Sequence, residues 1–212
     1  MRSLLARPAL SSIDRLSLYA STIAFQWICL AVTAWRAWAR GLGVAELGIT
    51  IPDAKQIAFA AVAGAAILGT AHWMNLRRMG RMQPEARGFF QRLAERIFPQ
   101  SDVEKLVYFA LALTAGLCEE FLYRGFTMAA LARSGFPVWA VVAASSAIFG
   151  LAHLYQGRRG VLATLAFGIL FGIARIAYDS LVPVVVWHVT VDAVGGLVGP
   201  RYLLRQSNTV SS

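Results

Sequence analysis

Apolar residues in this chain fall in long unbroken runs, not at the alternating or three-and-four spacing of a half-buried element. The first run, residues 16–39 (LSLYASTIAFQWICLAVTAWRAWA), is long enough to span a bilayer. About 20 helical residues at 1.5 Å rise cross a ~30 Å hydrocarbon core. The run also exceeds the about 7–15-residue apolar region of a cleaved signal peptide, so it is expected to remain as a span. Trp35 and Trp38 near its end suit an interface belt. A second span is predicted at about 56–76, where Gly64 and Gly69 suit close helix contact. From 103 onward the chain reads as nearly continuous membrane helix, over about 103–134, 137–155, 160–178 and 183–200. Breaks fall at Gly135–Pro137, Gly157–Gly160 and Asp179–Pro183. The stretch 103–134 is long enough for either one pass or two.

Residues 77–102 differ in kind. The stretch holds Arg77, Arg78, Arg81, Arg87, Arg92 and Arg96, and its apolar residues Phe89, Phe90, Leu93, Ile97 and Phe98 recur at helical spacing while Arg92, Glu95 and Arg96 fall elsewhere. The segment 86–98 predicts an amphipathic cytoplasmic helix lying on the membrane surface. The expected fold class is therefore all-α, a polytopic membrane helix bundle of about 6–8 transmembrane helices with one amphipathic cytoplasmic helix. Residues 1–212 are expected to form a single membrane domain, with N-terminal spans and the basic segment in 1–102 and a helical core in 103–204.

Composition narrows the class. Of 212 residues, 58% are hydrophobic and 15% charged, against about 45–50% and about 25% in soluble domains. Disorder and a disulfide scaffold are excluded by the apolar content and by only two cysteines, Cys29 and Cys118. The net charge of +9 would suggest nucleic acid in a soluble protein, but the arginines sit between the spans and no basic module is interleaved with aromatics. Nucleic acid is therefore not expected as a partner, and the lipid bilayer is. With six single passes and the N-terminus inside, 14 loop cations lie inside against five outside (Arg36, Arg40, Lys55, Arg133 and Arg175). The bias puts both termini in the cytoplasm. The expected location is a bacterial cell membrane, and no pattern specifies an oligomeric state.

Ionisable groups within spans cost at least about 2.5–3.5 kcal/mol each and mark function by default. Glu119, Glu120, Arg124, His153, His188 and Asp192 all lie in the C-terminal half. The first half offers His72, read as a hydrogen-bonded or snorkelling side chain near an interface. Glu120 and Arg124 are i and i+4 and share a helix face, whereas Glu119 points about 100° away. One carboxylate is thus neutralised, and the other is left for general acid or base work. Phe149 and His153, and likewise His188 and Asp192, share faces at the same spacing. Glutamate plus histidine can deprotonate a water, and a second histidine can stabilise the resulting oxyanion. Zinc held by Glu119, His153 and His188 would leave an open coordination position. No H-E-x-x-H motif backs that arrangement, so no cofactor is expected.

These pieces, Glu119-Glu120-Phe121-Leu122-Tyr123-Arg124, Phe149 to His153, and His188 to Asp192, resemble the E-E-x-x-x-R, F-x-x-x-H and H-x-x-x-N/D motifs of the type II CAAX prenyl endopeptidases. That family is also known as the CPBP or ABI intramembrane proteases. The resemblance covers about residues 103–200 and implies a glutamate-dependent intramembrane endopeptidase acting on a membrane-associated peptide or protein. It implies that Glu119 and His153 activate water, that Glu120 and Arg124 support the site, and that His188 stabilises the oxyanion. Eukaryotic-type members carry asparagine at the position of Asp192. An ionised aspartate cannot donate, so Asp192 is expected to orient His188. The competing readings are a transporter or proton relay, a non-catalytic membrane scaffold, and a thiol peptidase acting through Cys118.

Overall fold

The helix starts are written into local polar residues. Ser11 and Asp14 close a reciprocal capping box on α1 (Ser12–Ala39), Asp53 caps α2 (Ala54–Gly80), and Ser101 caps α3 (Asp102–Glu120). Each supplies a side-chain acceptor to backbone N–H groups that have no partner within the helix. The computed structural model describes residues 10–83, 91 and 94–204. The helical run begun by α3 continues through a π-helical segment, Phe121–Thr127, into α4 (Met128–Arg133). Then come α5 (Val138–Ala152), a 3-10 turn at Leu154–Gln156, α6 (Gly157–Tyr178) and α7 (Val182–Ala193). A second π-helical segment, Val194–Val198, leads into the short α8 (Pro200–Leu203).

Five helical stretches, Ser12–Ala39, Ala54–Gly80, Asp102–Arg133, Leu154–Tyr178 and Val182–Leu203, are long and apolar enough to cross a membrane, and Val138–Ala152 is a shorter apolar helix. Their outward faces are apolar. Phe25, Ile28, Phe59, Ile67, Leu106, Leu162 and Ile173 are all exposed, and only 6% of the apolar window of α1 is buried. An apolar surface of that extent is stable against lipid, where the helices satisfy their own backbone groups. The chain is an integral membrane protein. Residues 103–134 make one continuous helical run rather than two passes. Of the amphipathic segment, residues 84–90, 92 and 93 lie outside the described residues. Its helical residues 94–97 follow, and Ala94 is buried with Leu76 and Leu203.

In the bundle α3 packs between α1 and α7, α2 backs α7, and α5 pairs with α6. α1 and α3 run parallel. Arg15 Nε bonds Glu104 Oε2 at 2.8 Å and its Nη2 reaches Oε1 at 3.0 Å. One turn on, the rings of Tyr19 and Tyr108 meet edge-to-face at 5.5 Å. Close approach of α3 to α7 depends on Gly116, where a Cβ would strike Val189 and lie 3.2 Å from the Val185 carbonyl. The loop between α1 and α2 tucks inward. Its Leu47 carbonyl lies 3.2 Å from where a Cβ on Gly125 would stand, and the Leu181 N–H donates to Gly48 O at 2.8 Å.

These lengths set the depth of the polar residues. Glu119 lies 14 residues before Arg133, about 21 Å by helical rise, and His153 lies 15 residues after Val138, about 22 Å. α5 is too short to cross the hydrocarbon core, so its end stops at the level of Glu119. α7 begins beside Gly125, already about 12 Å inside Arg133, and His188 comes about 10 Å further on. The three motifs, which straight full-length spans would stagger, therefore meet at one depth.

Candidate active site

Glu120 organises the centre. It is fully buried, and its Oε1 accepts from Arg124 Nη1 at 2.8 Å and from His188 Nδ1 at 2.6 Å. The first contact is the i, i+4 pair expected from the sequence, and the second comes from α7, 68 residues away. Because a carboxylate only accepts, Nδ1 of His188 carries the hydrogen. Nε2 is then turned toward two further carboxylates, Asp192 Oδ2 at 3.6 Å and Glu119 Oε2 at 3.9 Å. It is thus Glu120 that makes the short bond to His188, while Asp192, 37% exposed at its side chain, stands on the other side of the ring.

Phe149 is the hub beneath these groups. Its ring centroid lies 4.7 Å from His153, 6.0 Å from His188 and 5.1 Å from Tyr123. The Arg124 guanidinium sits 4.4 Å above the same ring, a cation–π contact strengthened by desolvation. This contact accounts for part of the buried guanidinium, whose Nε and Nη2 make no hydrogen bond. His153 is the C-cap of α5, and its Nδ1 donates to Phe149 O at 2.8 Å. A carbonyl accepts only, so the lone pair of neutral His153 is on Nε2, free to take a proton. Glu119 lies within electrostatic range of His153 as well as of His188, Asp192 and Glu120.

A π-helical segment joins the helix of the two glutamates to Arg124 and to α5. It begins immediately after Glu120 and carries Tyr123 and Arg124. A π segment widens the turn and leaves carbonyls short of helical donors. Ser145 Oγ on α5 donates to Tyr123 O at 2.9 Å, and Thr127 Oγ1 donates to Leu122 O at 2.8 Å. α5, which carries Phe149 and His153, is thereby tied to the segment that carries Arg124.

Glu119 does have a partner, which sequence reasoning missed. Gln26 Nε2, from the middle of α1, donates to Glu119 Oε1 at 2.7 Å. The signal was present as a carboxamide in the centre of the run 16–39, where polar groups are costly. His72 lies beside the end of α7, with its Nε2 3.2 Å from where a Cβ on Gly195 would stand and within electrostatic range of Asp192. Among the described residues, no three His, Cys, Asp or Glu side chains are grouped so as to hold a metal ion.

Residues 102–194 match the family model described as Rce1-like, Type II CAAX prenyl endopeptidase Rce1-like. The match covers 93 of the 212 residues and is a similarity of this segment to that family. The matched segment runs from α3 through α7 and contains Glu119, Glu120, Arg124, His153, His188 and Asp192. The match is to the family that the three motifs resemble. No curated protein and no solved structure gives a significant match to the chain.

Proposed function

We propose that the chain is a glutamate-dependent intramembrane endopeptidase that hydrolyses a membrane-associated peptide or protein. The observation that carries the reading is the His188 ring, held by Glu120 at 2.6 Å on one nitrogen and faced by Glu119 at 3.9 Å on the other. In this reading Glu119 is the general base and His188 the electrophilic donor, the two groups that addition of water to a carbonyl requires around one small volume.

In this mechanism a water is hydrogen-bonded between Glu119 Oε2 and His153 Nε2. Glu119 removes a proton as the water oxygen attacks the scissile carbonyl. His188 in its imidazolium form donates from Nε2 to the oxyanion, while its Nδ1–H stays on Glu120. Collapse of the tetrahedral intermediate breaks the C–N bond, and the proton held by Glu119 passes to the leaving amine. Glu120 and Arg124 hold the His188 ring and the π segment, and Asp192 bounds the far side of the ring. No cofactor has a part in these steps.

The test uses the purified full chain in detergent with a peptide ending in a prenylated Cys-aliphatic-aliphatic-X sequence and with an unprenylated membrane peptide. Products are identified by mass spectrometry. Cleavage of either peptide is expected, with a loss of about 10²–10⁴-fold in Glu119→Gln. Undiminished cleavage by that variant would remove Glu119 from the mechanism.

A further inference from the structure

The amide of Gln26 is the single direct hydrogen bond that reaches Glu119 from another helix among the described residues. It lies on α1, outside the segment 102–194 that matches the family. Its arrival there is built into the α1–α3 pair. Arg15 with Glu104 and Tyr19 with Tyr108 lock the parallel helices at a constant offset of 89 residues. Gln26 and Glu119 are offset by 93, one helical turn more, which the two long side chains span.

A carboxamide is a particular choice of partner. Lys or Arg would donate only, and would favour a fixed carboxylate. Gln has an NH₂ donor and a carbonyl acceptor on one planar group. When Glu119 is ionised, Nε2 donates to it, as observed. When Glu119 carries the proton taken from water, the amide turned over accepts that proton through Oε1. In the observed state both Gln26 Oε1 and Glu119 Oε2 are buried without a hydrogen-bond partner. Buried acceptors of this kind are rare in folded proteins and recur at reactive sites. Each is an atom that the protonated state would use: Glu119 Oε2 takes the proton, and Gln26 Oε1 accepts the hydrogen bond of the protonated carboxyl once it has turned.

We infer that Gln26 is a positioning residue for Glu119, partnering the carboxyl group in both its ionised and its protonated state through the turnover. The inference rests on the proposed role of Glu119 as the proton acceptor. It assigns a function to α1, whose α3-facing side is otherwise explained by packing and by the Arg15–Glu104 ion pair.

The test pairs a spectroscopic and a kinetic measurement on the full chain. The infrared carbonyl band of protonated Glu119 is identified by its loss in Glu119→Gln. In Gln26→Met, which keeps side-chain length but removes donor and acceptor, that band is expected to move to higher wavenumber. Cleavage of the prenylated peptide, or of whichever peptide wild-type protein cuts, is expected to lose about 10–100-fold in kcat, with KM held within about twofold. Gln26→Lys, a donor without an acceptor, is expected to lose kcat similarly although it keeps a bond to Glu119. Thermal unfolding of each variant reports on folding. An unmoved band in Gln26→Met overturns the contact. A moved band with unchanged kcat, where Glu119→Gln is inactive, overturns the positioning role. If Glu119→Gln is itself active, the proposed function fails instead, and the band alone decides whether Gln26 holds the carboxyl group.

Discussion

Glu120 and Arg124 form the pair in which burial matters most, since neither side chain is accessible to solvent. The ion pair itself contributes little net stability, because desolvation opposes the attraction, yet removing one partner strands the other. Glu120→Leu is therefore expected to destabilise the protein by about 3–5 kcal/mol, read as a lowered unfolding midpoint in detergent, and to abolish cleavage. The double substitution Glu120→Leu with Arg124→Met is expected to regain much of that stability but none of the activity, because His188 has still lost the acceptor for its Nδ1–H. Full activity in the double variant would mean that Glu120 serves only to neutralise the arginine. The i, i+4 pairing was legible in the sequence. That the same oxygen also holds His188 was not, because the contact joins residues 68 apart.

At the scale of elements, the site depends on how closely α3 and α7 approach. Gly116 faces Val189 one residue from His188, and a side chain there has no room. Gly116→Ala is expected to push the helices apart, cost about 1–3 kcal/mol, and reduce cleavage by drawing His188 away from Glu120. Normal activity in that variant would show that the helix spacing is not critical. Across the site, Ser145 supplies the donor for the Tyr123 carbonyl. Ser145→Ala leaves that buried acceptor unsatisfied at about 1–3 kcal/mol, measurable by thermal unfolding. The π segment could not be read from residue pattern, since no local spacing in Phe121–Thr127 separates it from an α-helical turn. Its opening is sustained by a hydroxyl on a different helix.

Over the whole molecule the charges divide between two ends. Arg15, Arg77, Arg78, Arg81, Lys105 and Arg201 belong to the end where Leu76, Ala94 and Leu203 cluster. Arg40, Arg133 and Arg175 belong to the other, where Arg133 pairs with Glu46 and donates to the Arg40 carbonyl, and Arg175 donates to the carbonyls of Ala45 and Glu46. Helix ends alternate between these two ends along the chain, with the short α5 stopping before the basic end, and that end is expected in the cytoplasm. Cysteines placed by Asp102→Cys and Val138→Cys, in a chain with Cys29 and Cys118 replaced by serine, are expected to react with a membrane-impermeant maleimide from opposite sides. The first should be reached only from the cytoplasmic face. Labelling of both from one face would contradict this topology.

The sequence by itself determined the membrane as solvent, the helical class, the approximate spans and the chemical identity of the polar set. Those follow from composition and from the cost of ionisable groups in hydrocarbon, which are properties of residues and their near neighbours. Tertiary structure decided the rest. The short α5, the inset start of α7 and the tucked 42–48 loop bring Glu119, His153 and His188 to one depth, and the parallel register of α1 and α3 delivers Gln26 to Glu119. Such matters depend on where helices stop and which faces meet, and those are settled by packing between distant segments, which no local pattern along the chain encodes.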